Sequence, residues 1–437
     1  MQYRYPSFDK LTQLCGQIAE YGALKCESGA AGAVEELTRQ LGEQLAQGLA
    51  AIRALEEDPR LAETEPNELN AIRTLRDNGP RNLSAQLDKS ALPHRMEGAV
   101  LGRFAACLLG VPVEGWSIAE MEALAKDCGT PFPPTQYWKA ASFPYRLQYE
   151  KSPRRAYTQD GMDGVAVDDD ITYTLLDLLI LEKYGFSFTT EDVGEMWKQQ
   201  LPIACTAEKV ALDNLNAGVP ALLAGETNNP YMQWIGADIR SDGWGWACAG
   251  RPELAAELAW RDAMLSHRRN GIYGEMFFAA AQAAAFTAKD PVDALRIGLT
   301  EIPNTCALYR DIQWALEEGK KITDYRQARA AVDDRFAGMH PVHTNNNACL
   351  TVFALMLGGG DYTKTVSQVV AMGMDNDCTA ATAGSILGAI IGSAGIPAHW
   401  TEKFHNKVYT YMKQDPDFAL DDVVARFVHL AVQAQEL

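Results

Sequence analysis

Basic residues are scarce in this chain: 39 Lys and Arg stand against 57 Asp and Glu, a formal charge of −18 over 437 residues. Sequence-independent nucleic-acid binding rests on basic surface, so no nucleic-acid partner is expected. No Lys/Arg cluster reads as a basic patch or a membrane-surface helix. Cysteine pairs at metal or redox spacing are also missing. The nine Cys, an odd number, are scattered without a CxxC, which favours reduced thiols over a disulfide framework. The seven His form neither HExxH nor HxxxH, so a zinc site of that kind is not expected. No run of about 18 apolar residues stands out, and the opening MQYRYPSFDK lacks the charged-then-apolar order of a signal peptide. The expectation is a cytoplasmic protein with no membrane partner. Alternating Val/Ile/Thr segments are few and no βαβ rhythm appears, which leaves an all-α fold.

A hydrophobic content of 47% suits a globular chain with a sizeable core. Residues 1–90 read as a helical N-terminal extension, with helices expected over Phe8–Cys26, Gly32–Glu57 and Asn67–Arg76. Scaffolding or an oligomer contact is the expected role of this part. Residues 91–437 read as the main domain. Its first helix, from Met96 toward Trp116, keeps Gly98, Gly102, Ala105, Ala106 and Gly110 small and ends at Pro112. Capping-box patterns begin at Ser117 with Glu120 and at Thr189 with Asp192. Thr130–Gly164 reads as a long ordered loop, and Asn228–Gly250 as an aromatic, Gly-rich loop. Helical spacing returns over Pro252–Leu265, Gly274–Ala288, Thr344–Leu357, Thr363–Met372, Thr379–Ile391 and Leu420–Gln435.

Two acidic clusters precede strongly apolar helices. Asp168, Asp169 and Asp170 lead into ITYTLLDLLILEKYG, and Asp375 and Asp377 lead into a segment rich in Ala, Gly and Ile. Adjacent carboxylates repel, and burying them unpaired is costly. A pair of divalent cations held between the clusters would remove that cost, with Mg²⁺ or Mn²⁺ suited to oxygen ligands. The alternative is a solvated loop in each place, with one Asp capping its helix.

The chain resembles the ADP-ribosylglycohydrolase family over about Met96–Trp400, through three motifs in the family's order. The stretch ACLLGVPVE, Ala106–Glu114, matches a GDxxGxxxE-like helix end. Asp168-Asp169-Asp170-Ile171 matches a TDDT motif, and Asp375-Asn376-Asp377-Cys378, followed by AATAGSILGAIIG, matches a DxDT motif. The resemblance implies an all-α hydrolase with two Mg²⁺ or Mn²⁺ ions. It implies metal ligands at Asp168, Asp169, Asp170, Asp375 and Asp377, with Cys378 in the position of a ligand Thr. Glu114 falls where some members carry a catalytic or gating glutamate, and Glu114 or Asp169 would serve as the catalytic carboxylate. The chain departs from the pattern at Cys107, where the GD motif has Asp, at Asp168 and at Cys378.

Further candidates for substrate contact are polar or aromatic stretches beside apolar helices. His267, Asn270 and Tyr273 either line a pocket or flank an Asn-Gly turn. His343, Asn345, Asn346 and Asn347 open another apolar helix, where the Asn side chains either hold a ribose or carboxamide or cap the helix. Trp244, with Trp246, Tyr231 and Trp234, either forms a wall for a base or packs in the core. Gly358-Gly359-Gly360 follows no strand and reads as a helix C-terminus. The implied function is hydrolysis of a glycosidic bond to ribose, in a ribose-containing small molecule or an ADP-ribosylated substrate. The alternatives are a degenerate member that binds ADP-ribose or a nucleotide without cleaving it, and a phosphoester hydrolase on the same scaffold. Oligomeric state is left open.

Overall fold

Capping chemistry starts several helices where the sequence places them. In the computed structural model of the protein, which describes residues 5–139, 147–148 and 152–437, Ser117 and Glu120 close a reciprocal capping box ahead of Ile118–Cys128. Thr189 and Asp192 do the same ahead of Thr190–Gln200. The expected helices appear as Asp9–Lys25, Ala31–Arg53, Leu69–Leu75, Pro252–Ala263, Asn270–Ala285, Thr344–Gly358, Tyr362–Met372, Asn376–Ile391 and Leu420–Ala434. The fold is all-α. Among the described residues, the strands are two short antiparallel ladders, Leu147–Gln148 with Ser152–Pro153 and Lys407–Tyr409 with Asp417–Ala419.

Some expectations need correction. Asn228–Gly250 is largely helical, with a 3₁₀ segment over Ile235–Arg240 and an α-helix over Ser241–Ala247. Burial there outweighs the weak helix propensity of Gly243 and Gly245, because neither site has room for a side chain: an added Cβ would lie 2.5 Å from Asp177 Cβ or 2.6 Å from Gln282 Cβ. The helices Thr206–Asn216, Pro291–Leu299, Ala307–Glu318 and Tyr325–Arg335 were not foreseen. Of the loop expected over Thr130–Gly164, residues 140–146 and 149–151 lie outside the described residues.

The chain divides into two units. One comprises the residues up to Glu63 together with Phe336–Met339, and the other Thr64–Arg335 with His340–Leu437. Residues 64–90, expected with the extension, group with the larger unit. In the smaller unit, neither Asp9–Lys25 nor Ala31–Arg53 buries a residue.

In the larger unit the centre is a pair of helices, Leu92–Gly110 and Asn376–Ile391, packed antiparallel through glycine. A Cβ on Gly98 would lie 2.3 Å from Gly388 O, one on Gly102 2.3 Å from Gly384 O, and one on Gly110 2.4 Å from Asp377 Cα. Residues four apart share a helix face, so Gly98, Gly102, Ala106 and Gly110 form the contact stripe, and the backbones meet without intervening side chains. The stretch Leu92–Val113, 22 residues with hydropathy 1.4, is long and apolar enough to cross a membrane by length and composition. That corrects the expectation that no such run exists. The charged positions within it hide the run from simple inspection, and 89% of its most apolar window is buried inside the protein.

Candidate metal centre

The glycine contact carries the end of the 92–110 helix to the start of the 376–391 helix, and two acidic segments converge there. Gly373 and Met374 both adopt left-handed backbone, at φ +71° and +63°. For Met374 that conformation is unfavourable, and it turns the chain so that Asp375 enters the interior. The Glu114 turn is tied to this segment by Gly115 N–H, which donates to Met374 O at 3.0 Å. Asp375 N–H in turn donates to Asn347 Oδ1 at 3.3 Å.

The acidic side chains form a linked row. Cys107, Asp168 and Asp170 can each present a donor atom within 4.8 Å of the others; so can Asp170, Asp377 and Cys378, and so can Glu114, Asp375 and Asp377. Asp170 joins the first two groups and Asp377 the last two. Asp168, Asp170, Asp375, Asp377, Cys107 and Cys378 are buried, whereas Glu114 is exposed and Asp169 half-exposed. Asp169 belongs to none of the three groups, but its charge acts on Glu114, Asp168, Asp170 and Asp375.

Helix capping accounts for part of this cluster. Asp168 caps Asp169–Tyr184, its Oδ1 accepting from Asp170 N–H at 3.1 Å. Asp375 occupies the equivalent position before 376–391 but makes no capping hydrogen bond. Three buried oxygens, Asp170 Oδ2, Asp375 Oδ1 and Asp377 Oδ1, have no hydrogen-bond partner. Burial, followed by neighbouring charges, pushes the carboxyls upward: Asp170 to about 8, Asp168 and Asp377 well above the carboxylate range, and Asp375 in the same direction. Desolvation, then the charges of Asp375, Asp169 and Asp170, push Glu114 up to about 8; its exposure to water tempers that rise. Such a set fits a bound cation, which would satisfy the orphaned oxygens and relieve the repulsion.

Arg103 is the buried cation within this cluster. Its Nη2 donates to Asp170 Oδ1 at 3.0 Å and to the Asp170 and Ile239 carbonyls at 2.9 and 2.5 Å. Nη1 donates to Asp242 at 2.6 Å and Nε to Thr174 Oγ1 at 2.9 Å. One Asp170 oxygen is thereby fixed, and the other stays available. Sequence reasoning missed Arg103, and it offered Asn347 only with its two neighbours, as a sugar contact or a helix cap. The available signal for Arg103 was an arginine one turn before Cys107, in a helix whose other charged side chains, Arg95 and Glu97, lie near its start.

The proposed substrate contacts fare differently. Trp244 is fully buried, its Nε1 donating to Glu275 at 3.0 Å and its ring stacked on Phe188 at 4.9 Å. Trp246 is likewise buried and bonded to Gln282 and Ser385. These two are core packing rather than a wall. Trp234 is half-buried and stacks on His340 at 3.9 Å, with Tyr231 at 4.7 Å on Trp234. His267 is buried beside the Arg240 ion-pair cluster, 2.8 Å from Ser266 Oγ; burial, aided by Arg240 and Arg268, keeps it neutral. Asn270 bridges Glu65, Gln233 and the Leu308 N–H, and Tyr273 OH donates to Pro66 O at 2.6 Å. Both therefore hold the 64–67 segment in place. His343 caps Thr344–Gly358. Asn345 donates to Asp311 at 2.8 Å and Asn346 to His340 O at 2.9 Å. The asparagine that reaches the acidic row is Asn347.

The comparisons agree with this architecture. The family model described as ADP-ribosylglycohydrolase matches residues 88–434. No curated protein matches by sequence. Among solved structures, a chain of an "ADP-ribosylglycohydrolase-related protein complex" superposes with a TM-score of 0.54 at 19% identity, covering 79% of this chain and 99% of its own. That likeness shows the shared all-α fold. The family match spans both acidic segments and the glycine-packed helix pair between which they lie: the chain belongs to the ADP-ribosylglycohydrolase family.

Proposed function

We propose that this protein is a metal-dependent glycohydrolase that cleaves a glycosidic bond to ribose, in an ADP-ribosyl conjugate or a related riboside. The observation that carries this reading is the row of carboxylates with three buried, unpartnered oxygens on Asp170, Asp375 and Asp377. Asp168, Asp169, Asp170, Asp375 and Asp377, with Cys378, would hold two divalent cations, Mg²⁺ or Mn²⁺. When bound, such ions orient sugar hydroxyls and a water and stabilise developing negative charge. The protein supplies the rest. Arg103 fixes the rotamer of Asp170, and the Met374 turn presents Asp375 and Asp377 to the same space. Glu114, exposed to solvent, can meet an incoming water and take its proton as general base. Asp169, half-exposed, is the second carboxylate that would steer that water. A rim of negative charge suits cleavage through an oxocarbenium-like transition state.

The test is to incubate the purified protein with Mg²⁺ or Mn²⁺ and a panel of ribosides and ADP-ribosyl conjugates, then identify products by mass spectrometry. A product with a free ribose hydroxyl at the cleaved position is expected. Phosphoester products would overturn the reading. The presence of Cys107 and Cys378 in the cluster favours one second reading, a member that binds such a ligand without cleaving it. Metal-dependent ligand binding with no product is its signature.

A further inference from the structure

The exposed apolar side chains of this protein are concentrated in one place. Among the described residues, twelve of the large ones lie between Tyr5 and Leu55, against five in the rest of the chain. In Asp9–Lys25, Leu11, Leu14 and Ile18 form a stripe at helical spacing. In Ala31–Arg53, Leu37, Leu45 and Ile52 form another, with half-buried Leu41 between the first two. The six exposed members are 41% to 63% exposed. Gly22 lies one turn beyond Ile18, and Val34 about one turn before Leu37. An added Cβ on Gly22 would lie 3.4 Å from Val34 Cγ1, so the helices meet stripe to stripe beside the Cys26–Ala30 turn. Both stripes then line one cleft that the hairpin does not fill, since neither helix buries a residue. We infer that this cleft is a dimerisation surface whose occupant is the hairpin of a second copy of this chain, the two hairpins closing as a four-helix bundle.

Area, geometry and charge favour a second copy over other occupants. The two helices carry nine exposed large apolar residues. At roughly 100 Å² each they present on the order of 900 Å², more than the few hundred Å² of an ordinary exposed patch and enough for the roughly 800 Å² per partner of a standard interface. A four-helix core needs four apolar stripes. One hairpin supplies two, and a two-fold axis supplies the other two from the same surface. The charges lie elsewhere: Glu36, Arg39 and Glu43 occupy the opposite face of Ala31–Arg53 and pair with one another at 2.6 and 2.5 Å. The cleft therefore offers a charged peptide nothing to pair with. A helix that lies on a lipid surface carries a polar face rich in Lys and Arg, whereas Glu35, Glu36 and Glu43 outnumber Arg39 on this one.

Sedimentation equilibrium of the full-length protein, from about 0.1 to 50 µM, tests the inference without an activity assay. The expected mass at the upper end is twice the 47.9 kDa of one chain. Leu14→Glu and Leu45→Glu each place an unpaired charge in the bundle and should raise the dimer dissociation constant at least about tenfold. Gln47→Glu adds the same charge outside the cleft and should leave it unchanged. A wild-type monomer over the whole range overturns the inference, and binding of that monomer to phospholipid vesicles would name lipid as the occupant instead. A dimer that both cleft variants retain also overturns it, because the interface then lies elsewhere. Amide hydrogen exchange of the wild-type protein serves where a variant fails to fold. Residues 9–53 should gain protection as concentration rises through the dimerisation midpoint, with the 376–391 helix unchanged; protection of 9–53 that is independent of concentration counts against a second copy.

Discussion

The N-terminal hairpin and the central helix pair are both helical, but different physics maintains them. In Asp9–Lys25 the apolar positions Leu11, Leu14, Ile18 and Tyr21 follow helical spacing, yet they are 52%, 46%, 41% and 65% exposed. Ala31–Arg53 also buries nothing and carries i,i+3 and i,i+4 pairs from Arg39 to Glu36 and Glu43. Propensity and local pairs sustain such helices. The 92–110 and 376–391 helices invert that balance. They contain glycine at contact positions, which weakens an isolated helix, and they gain their stability from close packing. They also bury charge. The lesson is that an amphipathic stripe reports local structure, whereas buried carboxylates report a site, because only a ligand or a partner makes their burial tolerable.

The sharpest way to break this comparison is to remove a buried carboxylate. Asp375→Ala or Asp377→Ala should abolish metal-dependent turnover and weaken divalent-ion binding in a calorimetric titration. Unchanged turnover and affinity would mean that the row is structural. The next effect in size concerns Arg103. Replacing it by Met leaves Asp242 and Asp170 buried without their partner, and breaking a buried pair in this way costs about 3–5 kcal/mol. Chemical denaturation measures the loss, and a cost below about 1 kcal/mol would show that the guanidinium is dispensable.

A third change tests the helix contact itself. Gly102→Ala places a Cβ 2.3 Å from Gly384 O, a clash with backbone that no rotamer change relieves. Overpacking of this kind costs about 1–3 kcal/mol. Because the same contact sets Gly110 against Asp377, the variant should also loosen metal binding. Destabilisation with metal affinity unaltered would separate the packing from the site.

These variants also mark how far the sequence could be read. The helices were legible because capping boxes at Ser117 and Thr189 and apolar spacing are local signals. The acidic segments were legible because their carboxylates lie next to apolar helices. Arg103 was not, because its partners Asp170 and Asp242 are 67 and 139 residues away and only tertiary packing brings them together. Asn347 was legible only as one of three consecutive asparagines at a helix start, because the fold alone decides which of them meets Asp375 N–H. Trp244 shows the reverse error, since aromatic density cannot distinguish a ligand wall from a core whose indole N–H is already bonded to Glu275. The helix at Ser241–Ala247 was hidden by its glycines, which sit where neighbouring side chains leave no room.

The smallest predicted effect makes the same chemical change in the hairpin and has the opposite sign. Gly42 lies within Ala31–Arg53, and an added Cβ there meets nothing within 4 Å. Gly42→Ala therefore removes backbone freedom from the unfolded chain and introduces no clash, a gain of about 0.5–1 kcal/mol. Since the hairpin belongs to the smaller unit, global denaturation is the wrong probe, and amide hydrogen exchange of residues 31–53 is the right one. Exchange there should slow by about two- to five-fold, with protection of the 376–391 helix unchanged. Faster exchange on Gly42→Ala would mean that the glycine is kept for a contact the isolated chain does not display, and the contrast between a locally held helix and a packed one would no longer hold at that position.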